Sequence, residues 1–287
     1  MANSLSVLNP AYWSRTMGMQ LRKSLVARSI TSYAEVATLR DGDTVHRPYI
    51  TNLSVNTYVK GVDVTIQDLA PTDETLTVST SKEVSFYVDD IDQLQNRYDI
   101  ASKFADQAAY LLGDAIDQAV LAEYANAAYY YDNVDFTAGA AGGIALDATN
   151  IHTMVTGVKA KLMKNNVRLT DPFMVVTPTI AEYIERYAAA NGFNIADSTI
   201  RNGYAGDFLG MRILISNNLT TAAGVTHILA GNGGSIDLVV QKEPSTLITQ
   251  PDKKIGKNFI NWTLFGKKTF YEGARNLIDV RVLQANA

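Results

Sequence analysis

The chain has 287 residues, 47% of them hydrophobic, a formal net charge of -4 and no cysteine. Disulfides, thiolate nucleophiles and cysteine-ligated metal centres are therefore excluded, and no run of 18 apolar residues is present to span a bilayer. Nothing global suggests a basic, nucleic-acid-coating surface, and a chain of about 300 residues buries roughly 75% of its unfolded surface, enough for one elaborated domain or two smaller ones.

In chain order, the opening MANSLSVLNPAYW has neither the charged start nor the apolar run of a secretory signal, so folding in the cytoplasm is expected. Residues 1 to 34 hold Arg15, Arg22, Lys23 and Arg28 but no acid, apart from the protein's overall acidity; such asymmetry suggests a partner surface. Trp13, Met17, Leu21, Leu25 and Ile30 recur near helical spacing after Pro10, which predicts an amphipathic helix packing on a neighbour, a membrane-surface helix being the alternative. From Asp41 the pattern turns to β. Asp41-Gly42 is a turn signal, Thr44 to Ile50 reads as a strand, and Leu76 to Thr80 and Val84 to Val88 alternate with period two. The polar, extended stretch between them makes a hairpin too long to cover its own edges, as an interaction arm would be.

Asp92 to about Tyr130 reads as one helix, roughly 58 Å long at 1.5 Å per residue. Leu94, Ala101, Ala105, Ala108, Leu112, Ala115 and Ala119 share one side, and Asp92, Asp99, Asp106, Asp114 and Asp117 the other, expected to be a solvated face. After a flexible Gly139 to Gly143, the pattern predicts a helix at Asn150 to Asn165, a buried strand at Phe173 to Thr177 and a helix from Pro178 to Ala190. A glycine-rich loop from Asn191 to Gly210, strands at Met211 to Ile215, Thr226 to Ala230 and Ile236 to Gln241, and β structure from Phe259 to Leu283 follow. The last strand is expected to return to a sheet formed much earlier.

Residues that could carry chemistry are sparse. His46, His152 and His227 have no metal-ligand or triad spacing. Gly231 to Gly234 lacks the following Lys and Ser/Thr of a phosphate loop, and Gly203, Gly206 and Gly210 lack dinucleotide-turn spacing. Asp89, Asp90 and Asp92 at a strand-to-helix junction read as N-capping and helix-dipole residues rather than a cation site. No GxSxG elbow occurs. The expectation is therefore no enzyme, with no catalytic, cofactor-binding or metal residue and no cofactor.

The order of basic arm, long hairpin, acidic helix, α/β block and returning strand coincides with local sequence. Asp41-Gly-Asp-Thr-Val with Pro48, Tyr58-Val-Lys-Gly61, Val84-Ser-Phe-Tyr-Val-Asp-Asp90, Ala108, Asp114-Ala-Ile-Asp117, Asn166-Val167, Val175-Val-Thr-Pro178, Gly210-Met-Arg-Ile213, Ser216-Asn-Asn-Leu219 and Gly266 to Tyr271 fall in one order. In this the chain resembles tailed-bacteriophage major capsid proteins with the Hong Kong 97 fold, especially podovirus-like coats. The resemblance implies an α+β fold with an N-terminal arm (1–40), an E-loop with leading P-domain strands (41–90), a P-domain spine helix (91–138), an axial A-domain (139–250) and C-terminal P-domain strands (251–287). It further implies self-assembly into pentamers and hexamers of an icosahedral virion shell around double-stranded DNA, assembled in the host cytoplasm. The implied partners are a separate scaffolding protein, a portal, packaged DNA held non-specifically and a decoration protein, with no membrane. Lys60 and Asn258 lie in the regions that one relative joins by a Lys-to-Asn crosslink, a reaction not carried over here. An encapsulin-like nanocompartment shell of the same fold is the alternative.

Overall fold

The computed structural model describes residues 22–36, 42–50, 53–64, 66–95, 100–190, 204–252 and 254–284. The predicted arm helix falls mostly outside this range. Within it, residues 22–26 are irregular and only Ala27–Ile30 forms a helical turn (α1), so Leu25 and Ile30 do not share a helix with Arg22. The strands that follow are β1 (Thr31–Ser32), β2 (Thr44–Tyr49), β3 (Thr72–Thr77) and β4 (Thr80–Asp89). Helices α2 (Asp90–Gln95) and α3 (Ile100–Leu121) come next, then a 3-10 turn at Ala122–Asn126, β5 (Tyr129–Tyr131) and α4 (Asn133–Thr137). The block predicted as α/β contains α5 (Ile151–Lys164), β6 (Pro172–Val176), α6 (Pro178–Ala190), β7 (Tyr204–Phe208), β8 (Met211–Ile215), β9 (Thr221–Ala222) and β10 (Val225–Asn232). β11 (Ile236–Thr249), β12 (Gly256–Lys268), α7 (Tyr271–Arg275) and β13 (Leu277–Leu283) complete the described chain.

The long helix is shorter than its period suggested. It ends at Leu121, because Tyr129–Tyr131 is claimed by a sheet, pairing in parallel with Ile278–Val280. β7 also replaces part of the expected glycine-rich loop, residues 191–203 lying outside the described range. By contrast α6 has the predicted bounds: Pro178 takes the first helical position, where its missing N–H costs nothing, and Thr177 Oγ1 accepts the amide of Ile180 at 3.4 Å.

Two sheets organise the molecule. A seven-stranded mixed sheet runs β5-β13-β10-β6-β8-β7, with β9 beside β10, so the returning last strand lies inside it. Its central strand is buried on both faces: Met174 and Val176 point into a core with α5 and α6, while Phe173 and Val175 join α1, α3 and the second sheet. A continuous apolar run is what such a strand requires. The second sheet, β1-β11-β12-β4, consists of three long antiparallel strands with the two-residue β1 added parallel to β11, and α3 packs against it. A third, small core of Val45, Leu76, Val78, Val239 and Phe270 sits where the β2–β3 hairpin leaves the body.

Candidate assembly interface

The hairpin is two structures in one. Its base is paired from Thr44↔Thr77 to Tyr49↔Thr72 and locked to the body by several side chains. Arg47 Nη1 meets Asp237 Oδ2 at 3.0 Å, and its guanidinium lies 4.9 Å from the Phe270 ring. Tyr49 stacks on Tyr271 at 4.5 Å, and the Tyr271 amide donates to Glu74 Oε2 at 2.7 Å. Gly266 makes this close docking feasible, since a Cβ there would come within 2.7 Å of the Thr77 carbonyl oxygen. Burial pushes the Asp237 carboxyl above its usual range, opposed by a hydrogen bond from Ser32 and the charge of Arg47.

Among the described residues the ladder runs no further than Tyr49 and Thr72. Nearer the tip Gln67 clamps the two legs: Ser54 N donates to Gln67 Oε1 at 2.9 Å, and Gln67 Nε2 donates to Ser54 O at 2.5 Å. The tip turns through Val59 to Val62, closed by Val62 N donating to Val59 O at 3.2 Å, with Gly61 at φ 86°, a left-handed conformation that favours glycine. Ile50, Leu53, Val55, Tyr58, Val59, Val62, Val64, Ile66 and Leu69 are all exposed here, Val55 completely and Ile66 at 89%. So many large apolar side chains exposed along one arm mark an interaction site.

A second locus joins the arm to the body. Asp117, only 1% exposed, accepts the amides of Val26 and Ala27 on Oδ1, both at 2.7 Å, and Asn218 Nδ2 on Oδ2 at 2.9 Å. Asp114 accepts the same Asn218 amide at 2.6 Å, while Lys23 Nζ donates to Asn218 Oδ1 at 2.8 Å and lies 3.8 Å from Asp114. The carboxylate stripe is therefore not one solvated face. Asp92 and Asp106 are exposed and Asp99 lies outside the described residues, whereas Asp117 is buried where it satisfies the arm's backbone amides and Asp114 is buried where it accepts the side-chain amides of Asn218 and Gln118. The apolar face shifts with them: Ala108, Leu112, Ile116, Val120 and Leu121 are buried, and Leu94 is 86% exposed. Lys23 thus meets the acidic helix within one chain, and Arg28 pairs with Glu243 at 2.8 Å. The Ser216-Asn-Asn turn was legible; its bond to Asp117, 101 residues away, was not.

The residues considered for chemistry lie apart. His46 Nδ1 is 2.6 Å from Asp73 Oδ2 across the hairpin base. His152 stacks on Tyr187, and His227 stacks on Tyr124 with Nδ1 3.0 Å from Asp279. Asp89 Oδ1 accepts the Ile91 amide at 2.9 Å, the N-cap role its position suggests. In Gly231 to Gly234, the amides of Gly233 and Gly234 donate to the carbonyls of Asp171 and Ile30, so the segment is a packed turn. Gly206 and Gly210 lie on β7 and in the turn after it. Lys60 is at the hairpin tip and Asn258 on β12 opposite Tyr87, the two not brought together within one chain. Among the described residues no group of three or more His, Asp or Glu is arranged to hold a metal ion, and no helix is long and apolar enough to cross a membrane.

A family profile for phage capsid proteins matches residues 49–266, more than half of the chain. No curated protein sequence matches. Among solved structures the chain is similar to one from Mycobacterium phage Che8, at 19% identity and TM-score 0.76, covering 95% of this chain and 96% of that one. It is also similar to the capsid of cyanophage P-SCSP1u, at 16% identity and TM-score 0.69 over 98% of this chain and 95% of that one, and to the capsid of Myoviridae phage XM1, at 11% and 0.66 over 99% of both. At these identities the likeness is one of fold, the α+β Hong Kong 97 fold, extending over nearly the whole chain. The family match does not favour the nanocompartment alternative: the chain belongs to the phage capsid protein family, as a major capsid protein.

Proposed function

We propose that copies of this chain close into pentamers and hexamers of an icosahedral shell around double-stranded DNA, and that the hairpin holds neighbours together by lapping onto an adjacent copy. The observation that carries this reading is the hairpin tip, whose nine large apolar side chains find no cover in their own subunit. Burying apolar surface contributes about 25 cal/mol per Å², and the tip gains it only on a second molecule. The rigid base fixes where the tip points.

Assembly takes place in the host cytoplasm with a separate scaffolding protein and a portal; a decoration protein and non-specific DNA contacts complete the partner set. The five segments 1–40, 41–90, 91–138, 139–250 and 251–287 serve as arm, E-loop with leading strands, spine, axial domain and C-terminal strands. Strand pairing supports two refinements: β11 belongs with β12 and β4, and β13 belongs with the seven-stranded sheet. Electron microscopy of the chain expressed with and without its scaffolding protein tests the reading. Closed particles with five- and six-fold capsomers are expected, and a protein that stays monomeric under both conditions would overturn it.

A further inference from the structure

We infer that the first leg of the hairpin tip, Leu53 to Val59 of one copy, adds as a strand to the open edge of β4 in a neighbouring copy. This rests on the shell-forming reading above and names the surface that receives the hairpin.

β4 is a ten-residue edge. On one side it pairs with β12 without a break, from Gly256↔Asp89 to Phe265↔Thr80, and on the other no backbone group among the described residues pairs with it. Only Val88 of its ten residues is buried. Edges left in water are ordinarily blunted by proline, by a bulge, by charged side chains or by being short; β4 is long, has neither proline nor bulge, and carries charge at Lys82, Glu83 and the terminal Asp89, leaving Val84 to Val88 uncharged.

The same chain carries a strand without a sheet. Leu53 to Val59 (LSVNTYV) is rich in β-formers, has no charge and no proline, and is exposed without strand partners. The second leg is less suited, holding Asp63, Asp68 and Pro71. Phase follows from the Gln67 clamp. Both backbone groups of Ser54 are taken by Gln67 on the second leg, so strand alternation turns those of Val55 and Thr57 the other way, free to meet a new edge. Seven residues fit within ten.

Edge addition and face-on packing predict different distances: strands in one sheet lie about 4.8 Å apart, stacked sheets about 10 Å. The chain has no cysteine, so engineered disulfides report on this directly. Val55→Cys is combined in turn with Ser81→Cys, Glu83→Cys, Ser85→Cys or Tyr87→Cys on β4, and with Ile260→Cys on the central strand β12. Assembled shells are oxidised and run on non-reducing gels. The expected result is a covalent ladder with at least one β4 partner and none with Ile260→Cys; a ladder only with Ile260→Cys, or none in well-formed shells, overturns the edge assignment while leaving hairpin lapping intact.

Proline gives a second test in the otherwise unaltered chain, and decides the matter if the cysteine pairs fail to assemble. Because proline removes one N–H, Val55→Pro and Thr57→Pro should each lower shell yield about ten-fold or more, and Asn56→Pro far less. Equal effects at all three positions overturn the proposal. Shells of normal yield from a chain lacking the hairpin tip would instead refute the lapping reading beneath it.

Discussion

β6 and the hairpin tip are made of the same residue types and do opposite things with them. Phe173, Met174, Val175 and Val176 are fully buried because α5 and α6 close over one face and α1, α3 and the second sheet over the other. Leu53, Val55, Val64 and Ile66 lie in water because they extend past the last rung of a two-stranded ladder. A two-stranded hairpin has no second layer, and two strands alone are marginal in water. Apolar content therefore says what a segment will bury; topology decides whether it does so within the subunit or between subunits.

The sharpest way to break that comparison is truncation in both regions. Phe173→Ala should cost about 3–5 kcal/mol of subunit stability by denaturant unfolding, whereas Val55→Ala should change it by less than about 0.5 kcal/mol. A large loss at Val55 would mean that the tip is packed in its own subunit. Next in size is the arm junction. Asp117→Ala leaves two backbone amides and the Asn218 amide short of an acceptor, and should cost about 2–3 kcal/mol, against almost nothing for the exposed Asp106→Ala.

A smaller effect comes from Glu123. Burial raises its carboxyl, but hydrogen bonds from Lys267, Asn126 and Thr269 outweigh that, and its folded value lies below the ordinary one. The unfolded chain therefore binds the proton first as pH falls, and the stability Glu123 contributes is present above the usual carboxylate range and lost as pH drops through and below it. Melting temperature followed from neutral to acid pH should fall less steeply for Glu123→Gln; identical slopes would contradict this. Smallest is the exposed Arg28 to Glu243 pair, for which Glu243→Gln should shift stability by about 0–1 kcal/mol and less at high salt.

Local signals in the sequence were read well where local physics decides. The proline at N1 marks α6, and the apolar run marks β6. The helix past Leu121 was misread because Tyr129 to Tyr131 satisfies a helical period as well as a strand, and the choice is made by Leu277–Leu283 nearly 150 residues later. Burial of Asp114 and Asp117 was equally invisible, since one helix face gives no sign that Val26, Ala27 and Asn218 converge on it. The hairpin's exposure was legible as length, and its anchoring through Arg47, Tyr49 and Phe270 was not.

The central claim is that the hairpin tip serves neighbours and not its own subunit. Deleting Leu53 to Pro71 and following both thermal unfolding and shell formation by sedimentation tests it most directly. The account predicts a soluble subunit that melts close to the full-length chain and forms no shells. Normal shells from the deletion, or a subunit that no longer folds, would contradict it.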